Sequence, residues 1–408
     1  MKHLALPALL LCTVATPIAA QLALPDLPQG AGRTLRGIGG TLGQLDETLG
    51  DVTQTLRGLA DARLERIDRL ARANRDSIDR DASGDLARRG ELLLVDAQAH
   101  DIAKAESAGF AVLSREELGG LGIGVVRLAV PAGMSLAKAQ GALAKVLPGA
   151  TISADTLNFA SGTGGRTDPS PITAKAMPPI ATPVGVIDGG VAGSVPVADA
   201  QGFARGAPKA SDHGTAVASL LRFAGVQRVL VADVYGSDPA GGNALAVAKG
   251  IDWLIGKGVR VVSISLVGPA NPLLARAVQS AQRKGAVIVA AVGNDGPAAP
   301  PAYPASYPGV IAVTAVDGRN RALIEAGKAL HLDYAAPGAD LYASNAAGRR
   351  VRVRGTSFAT PLVASRVALK LGDNLAAKLD AEAIDLGPRG ADGSYGRGLL
   401  CTICRPAR

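Results

Sequence analysis

Residues 184–191 read Val-Gly-Val-Ile-Asp-Gly-Gly-Val. An unbroken apolar run that ends on an Asp and two glycines predicts a strand buried on both faces and stopped by a turn. Four more such runs follow, at Val229–Val234, Val259–Leu266, Val287–Val292 and Val310–Val316. Between them lie helix candidates at Gly214–Phe223, Ala244–Ile255 and Pro272–Lys284. Asn243 and Asn271 suit N-caps, Pro272 the first helical position and Gly285 the stop. Alternating strands and helices from Pro183 onward predict an α/β fold, a parallel sheet covered by helices on both faces. In such sheets function gathers at the carboxyl ends of the strands.

Upstream the pattern changes. Glu91–Val95 reads as a strand, Ala99–Ala108 as a helix, Phe110–Leu113 and Gly124–Val130 as strands, Ser135–Leu147 as a helix and Ala150–Ser153 as a last strand. The order βαββαβ over 90–160 is that of a ferredoxin-like unit, whose sheet keeps one face open for a second domain. Residues 161–180 are rich in Gly, Ser, Thr and Pro and read as an exposed linker. Within 21–89, a helical low-complexity segment, Leu35, Ile38, Leu42, Leu45, Leu49, Val52, Leu56 and Leu59 follow a 3-4 spacing. That is the seam of a coiled coil or an amphipathic helix; weakened by its glycines, it is expected to be a marginal helix that packs on its own domain or frays.

The chain has 408 residues, 48% of them hydrophobic but only 3% aromatic, so its core must rest on Val, Leu, Ile and Ala. The formal charge is +8, yet the basic residues are scattered among acidic ones and form no long run, which argues against nucleic-acid binding. Lys2 and His3 precede the apolar stretch Leu4–Val14, with Pro17 and the small pair Ala19–Ala20 behind it. Residues 1–20 therefore read as an export signal, too short and Pro-interrupted to span a membrane. No later stretch is a transmembrane candidate, so the mature protein is expected to be soluble and secreted or periplasmic. In that oxidising setting Cys401 and Cys404, in a tail over 401–408, are expected to form a disulfide.

Three motifs sit where chemistry is expected. Asp188 ends the first buried strand, His213 starts a helix in Asp-His-Gly-Thr, and Ser357 opens another in Gly-Thr-Ser-Phe-Ala-Thr-Pro. A serine hydroxyl is a weak nucleophile until a base takes its proton. An imidazole, with an ordinary pKa near about 6.5, can be that base and later the acid. A carboxylate fixes its tautomer and stabilises its charged form. Asn294, just beyond a strand in Val-Gly-Asn-Asp-Gly, can donate its amide to an oxyanion. Singly, each has a plainer reading as a turn or capping residue; together, in order and on matching elements, they point to acyl transfer.

These motifs, with His213–Thr215, Gly293–Asn294 and Gly355–Pro361, make residues 181–400 resemble the subtilases, the subtilisin-like serine peptidases. The resemblance implies a serine endopeptidase acting on extended polypeptides, with Asp188, His213 and Ser357 as triad and Asn294 in the oxyanion hole. It also implies that Ser265, Leu266, Val267 and Gly268 pair with substrate and that Ala290, Ala291, Val292 and Gly293 wall the primary pocket. Residues 90–160 then look like an inhibitory propeptide, an intramolecular inhibitor removed by self-cleavage between Thr156 and Pro179 and retained when Ser357 is Ala. Gly189 stands where the family usually has Ser or Thr, which implies one hydrogen bond fewer to the Asp188 carboxylate; Phe358 replaces a common Met. The chemistry needs no cofactor, and the family's structural calcium does not carry over because no acidic cluster matches a calcium loop. Two alternatives remain beside the peptidase. One is a silent protease-like peptide binder or chaperone of the cell envelope; the other is an envelope scaffold that keeps residues 30–80. An esterase is disfavoured because Gly-x-Ser-x-Gly is absent around Ser357.

Overall fold

The five apolar runs of the sequence become the middle of a seven-stranded sheet. The computed structural model describes residues 54–55, 57–160, 162–167 and 177–404. The export signal, the heptad positions from Leu35 to Leu56 and most of the linker fall outside the described residues. The first half of the chain begins with a helix over 57–73 (α1). There follow β1 (Ile78–Arg80), β2 (Leu86–Val95), α2 (Ala99–Ser107), β3 (Val112–Leu118), β4 (Ile123–Ala129), α3 (Leu136–Val146) and β5 (Thr151–Thr156). Two short strands then lead out of it, β6 (Phe159–Ala160) and β7 (Thr163–Thr167).

The second half opens with β8 (Val184–Asp188), β9 (Asp199–Gly202), α4 (Asp212–Phe223), β10 (Val229–Asp233) and α5 (Ala244–Gly256). It continues with β11 (Val261–Ile264), β12 (Leu266–Val267), α6 (Pro272–Arg283), β13 (Val287–Ala291) and β14 (Ile311–Val316). It closes with β15 (Tyr334–Pro337), β16 (Leu341–Ser344), β17 (Arg350–Arg354), α7 (Thr356–Lys370) and α8 (Leu375–Asp380).

The large sheet is parallel throughout, in the order β15-β14-β13-β11-β8-β10-β9. Alternate residues of each strand serve opposite faces. Val184, Val186, Val229 and Val231 pack with α4 and α7, while Ile187, Leu230, Ala232 and Ile264 pack with α5 and α6. Both faces are covered, as the unbroken apolar runs require. The caps read from the sequence are made: Asn243 accepts from Ala246 N at 2.9 Å, and Asn271 from Leu273 N at 3.0 Å.

The smaller sheet has β3, β4, β2 and β5 side by side and antiparallel, with β1 extending it beside the start of β2. It therefore begins at Ile78, ahead of residue 90, because β2 runs on through Leu86–Gly90. Leu92 and Leu94 face their own helices, in a core with Ile102, Phe110, Leu136 and Leu143. Leu93 and Val95 point the other way, into the core that holds α5 and α6. Each such fully buried aliphatic side chain is worth about 1.5–3 kcal/mol.

Polar contacts fix the docking. Asn271 Nδ2 donates to Ala154 O and Thr156 Oγ1, both at 2.9 Å. Arg88 reaches Asp238 at 2.8 Å, and Lys249 reaches Glu116 at 2.8 Å. Asp155 is buried and accepts the Leu245 N–H in the first turn of α5 at 2.8 Å. Burial, and secondly the nearby Glu91, push its carboxyl up to about 7, against the pull of the Leu245 N–H and Arg88. In the unfolded chain it titrates near 3.8.

The folded state therefore binds this proton more tightly. Its contribution is complete below about pH 4, falls as pH rises toward 7 and is flat above. Denaturant midpoints of the intact chain carrying Ser357→Ala should fall between pH 5 and 7, by up to about 1.4 kcal/mol per pH unit from this group. Adding Asp155→Asn should flatten that slope; equal slopes with and without the substitution would contradict the assignment.

Candidate active site

β8 has β11 on one side and β10 on the other, and its last residue is Asp188. His213 is the second residue of α4, and its Nδ1 lies 2.9 Å from each Asp188 carboxylate oxygen. Asp188 is 1% exposed, so water does not compete for this contact. The expected loss of a carboxylate partner at Gly189 is offset locally, since the Gly189 N–H donates to Asp188 Oδ1 at 2.7 Å. The physical reason for glycine there is Ser211. A Cβ at position 189 would stand 2.4 Å from Ser211 Oγ, the hydroxyl that caps α4 by accepting from Gly214 N at 3.0 Å. Room for the cap of the histidine's helix excludes a side chain beside the aspartate.

Ser357 is the second residue of α7, behind an N-cap at Gly355. Pro361 lies inside this helix and has no N–H to give to the carbonyl four residues back. That carbonyl belongs to Ser357, and Ser265 Oγ donates to it at 2.9 Å. In return Ser357 Oγ donates to Ser265 O at 3.1 Å. The nucleophile candidate and the strand entering β12 are thus locked by a reciprocal pair. The Phe358 ring stands 5.4 Å from the His213 ring, centroid to centroid, which sets His213 beside the residue that follows Ser357. Asn294 uses its Oδ1 to accept from Thr356 N at 3.0 Å. Its Nδ2 is buried and has no hydrogen-bond partner among the described residues. A donor held in this way, at the start of the helix that carries Ser357, is what a developing oxyanion needs.

The chain itself crosses this site. β6 pairs antiparallel with β12, Ala160 opposite Leu266 and Phe159 opposite Val267. Asn158 donates its N–H to Gly242 O at 2.8 Å, and its carbonyl accepts from the Tyr235 hydroxyl at 2.8 Å. Past the serine, β7 pairs antiparallel with β17. Between the two strands, Gly162 Cα lies 2.8 Å from where a Cβ on Gly355 would be, as does Asn294 Nδ2. Helix α1 roofs the cleft. Arg63 and Arg66 reach Asp295, next to Asn294, at 3.3 and 2.7 Å, over a cavity of about 880 Å³ bounded by Leu59, Ile67, Phe159 and Val267.

The structure links Asp188 to His213, sets His213 beside Phe358 and ties Ser357 and Thr356 to Ser265 and Asn294, while Val267, Gly268 and Asn294 line the cleft. Val292 and Gly293 line it too, whereas Ala290 and Ala291 are fully buried in β13. Cys401 and Cys404 are bonded and buried away from the cleft, Cα atoms 5.2 Å apart. Among the described residues no three His, Cys, Asp or Glu side chains are arranged to hold a metal ion. No helix among them is long and apolar enough to cross a membrane. Sequence reasoning passed over Tyr235, Gly242, Asp295 and the Ser265 hydroxyl. The one available signal was that Tyr235 and Ser265 each follow a buried strand.

A family model described as the subtilase family matches residues 184–383. Subtilisin DY of Bacillus licheniformis is 34% identical over 244 residues, 53% of this chain and 88% of that protein. Subtilisin amylosacchariticus of Bacillus subtilis subsp. amylosacchariticus is 32% identical over 248 residues, 53% of this chain and 63% of that one. Among solved structures, fervidolysin from Fervidobacterium pennivorans, described as a keratinolytic enzyme related to subtilisin, superposes with a TM-score of 0.62. That match is 19% identical, covers 77% of this chain and 60% of fervidolysin, and bears on the fold alone.

The Ser265–Pro361 relation is open to test. Ser265→Ala removes the hydroxyl that donates to the buried Ser357 carbonyl and should cost about 1–3 kcal/mol in denaturant unfolding. Pro361→Ala restores an N–H at that carbonyl, so the same Ser265→Ala change should cost clearly less in the Pro361→Ala background. Equal losses in both backgrounds would refute the relation.

Proposed function

Because this chain belongs to the subtilase family of serine endopeptidases, we propose that it hydrolyses peptide bonds through an Asp188–His213–Ser357 triad and is made as a secreted zymogen that cuts itself. Asp188 holds the Nδ1–H tautomer of His213, so that Nε2 can take the proton of Ser357 Oγ when that hydroxyl turns from the Ser265 carbonyl. The oxygen attacks the scissile carbonyl carbon, and the oxyanion accepts from Asn294 Nδ2 and the Ser357 N–H. His213 then returns the proton to the departing amine, and the acyl-enzyme is hydrolysed when water attacks by the same route.

The observation that carries the zymogen reading is the chain's own segment across the cleft. β6 occupies the strand-pairing edge of β12, β7 the edge of β17, and Gly162 lies beside Gly355 and Asn294. Main-chain pairing of this kind is how an extended peptide is taken up at a sheet edge. On this reading the bond that is cut falls between β6 and β7, and we assign it to Ser161–Gly162. After that cut, α1 and the ferredoxin-like unit form one fragment that still covers the cleft until it leaves. The basic and apolar start of the chain supports export.

Expressed alone in a protease-poor host, the wild-type chain should yield a mature N-terminus at Gly162 by Edman sequencing, and Ser357→Ala should accumulate uncut. Ser357→Ala and His213→Ala should each lower peptide hydrolysis by several orders of magnitude. Asn294→Ala should lower kcat by about 10²–10³ with little change in KM. Near-normal hydrolysis in either triad variant would contradict the assignment, and identical maturation of wild type and Ser357→Ala would contradict self-cleavage.

A further inference from the structure

Side chains on paired strands alternate between faces, and those opposite or diagonal on one face are neighbours. Phe159 is opposite Val267. In a substrate held in this register, the side chain two positions beyond Phe159 lies on the same face, diagonal to Val267. If the bond after residue 161 is the one cut, that position precedes the scissile bond, and Val267 is the β12 side chain nearest to it. This step rests on the peptidase reading above.

Across from Val267 stands Gly293. Its φ is +87°, and a Cβ built there would lie 3.3 and 3.6 Å from the two Val267 methyl carbons. The isopropyl group therefore leaves too little room between β12 and the chain leaving β13 for even one added carbon at Gly293 without a squeeze. A cavity of about 550 Å³ adjoins it, lined by Val267 itself together with Phe159, Gly268, Val292, Gly293 and Tyr303. There is room for a large side chain, and the Val267 side chain takes up part of its wall. The chain's own sequence agrees: between Phe159 and Thr163 it carries only Ala160, Ser161 and Gly162.

We propose that Val267 is a specificity-determining residue, restricting the position before the scissile bond to small side chains such as Ala, Ser or Gly. A branched or aromatic side chain has to displace the valine from Gly293, and well-packed side chains resist such overfilling. With the valine removed, more of that cavity becomes reachable.

The test uses the self-processed enzyme and four peptides, Asn-Phe-Ala-Xaa-Gly-Thr, differing only in Xaa as Ala, Ser, Leu or Phe. For wild type, kcat/KM with Ala or Ser should exceed that with Leu or Phe by at least about tenfold. Val267→Gly should shift this ratio toward Leu and Phe by at least about tenfold, and Val267→Ala should shift it in the same direction by less. Ratios are read, so a general loss of activity cancels. In the full chain, Ser161→Phe should slow self-processing, and adding Val267→Gly should restore it. Equal cleavage of the Phe and Ala peptides by wild type, or an unaltered ratio in both Val267 variants, would overturn the role of Val267. Hydrolysis of none of the four by wild type would overturn the peptidase reading and this inference together.

Discussion

A proline inside α7 leaves the Ser357 carbonyl without its helical partner, and the Ser265 hydroxyl fills that place at 2.9 Å. The rest of the site is arranged around this substitution of one donor for another. It ties the helix that presents Ser357 to the segment that continues as β12, the edge where an extended chain pairs. The Ser357 hydroxyl and the Ser265 carbonyl close the ring at 3.1 Å. Ser357 and the edge of β12 cannot drift apart without breaking a buried hydrogen bond. Thr356 adds a second tie, its N–H bonded to Asn294 Oδ1, so the Asn294 side chain is oriented from the same helix start.

The parallel sheet supplies the remaining coordinates. Asp188 ends an inner strand, paired there with Asp233 of β10 and with its carbonyl accepting the Val234 N–H at 2.9 Å, and only then does the chain turn. Its carboxylate faces a histidine delivered by a helix whose N-cap, Ser211, occupies the space that a side chain at 189 would need. The ferredoxin-like unit uses the same economy of contact. One face of its sheet packs on its own helices, and the other merges into the core around α5 and α6, so its exit strand β5 ends close to β12. The segment through the cleft is aimed by that docking.

Much of this was legible in the sequence because the signals were local. Buried parallel strands are unbroken apolar runs, and Asp188, His213, Asn294 and Ser357 each follow a strand end or open a helix. Elements without such a signature were missed. β9 reads Asp-Ala-Gln-Gly and lies at the sheet edge, where one neighbour suffices. β15 has only four residues. β2 was begun too late because Arg88, Arg89 and Gly90 look like a turn. The strand runs through them, with Arg88 reaching across to Asp238 and Asp155. The arginines of α1 could not be placed without knowing that Asp295 lies beneath them, since that contact spans 229 residues. The hydroxyl of Ser265 likewise gains its meaning only from Pro361, far along the chain.

In the proposed triad, Ser357 is made nucleophilic by His213 at the end of this sheet. A fluorophosphonate forms a stable bond only with a serine activated in this way, and the product is read directly as mass. Peptide mapping of the processed protein should find one adduct, on Ser357, absent when His213 is replaced by Ala. No adduct on the wild-type protein, or an adduct on a different residue that survives His213→Ala, would contradict the account.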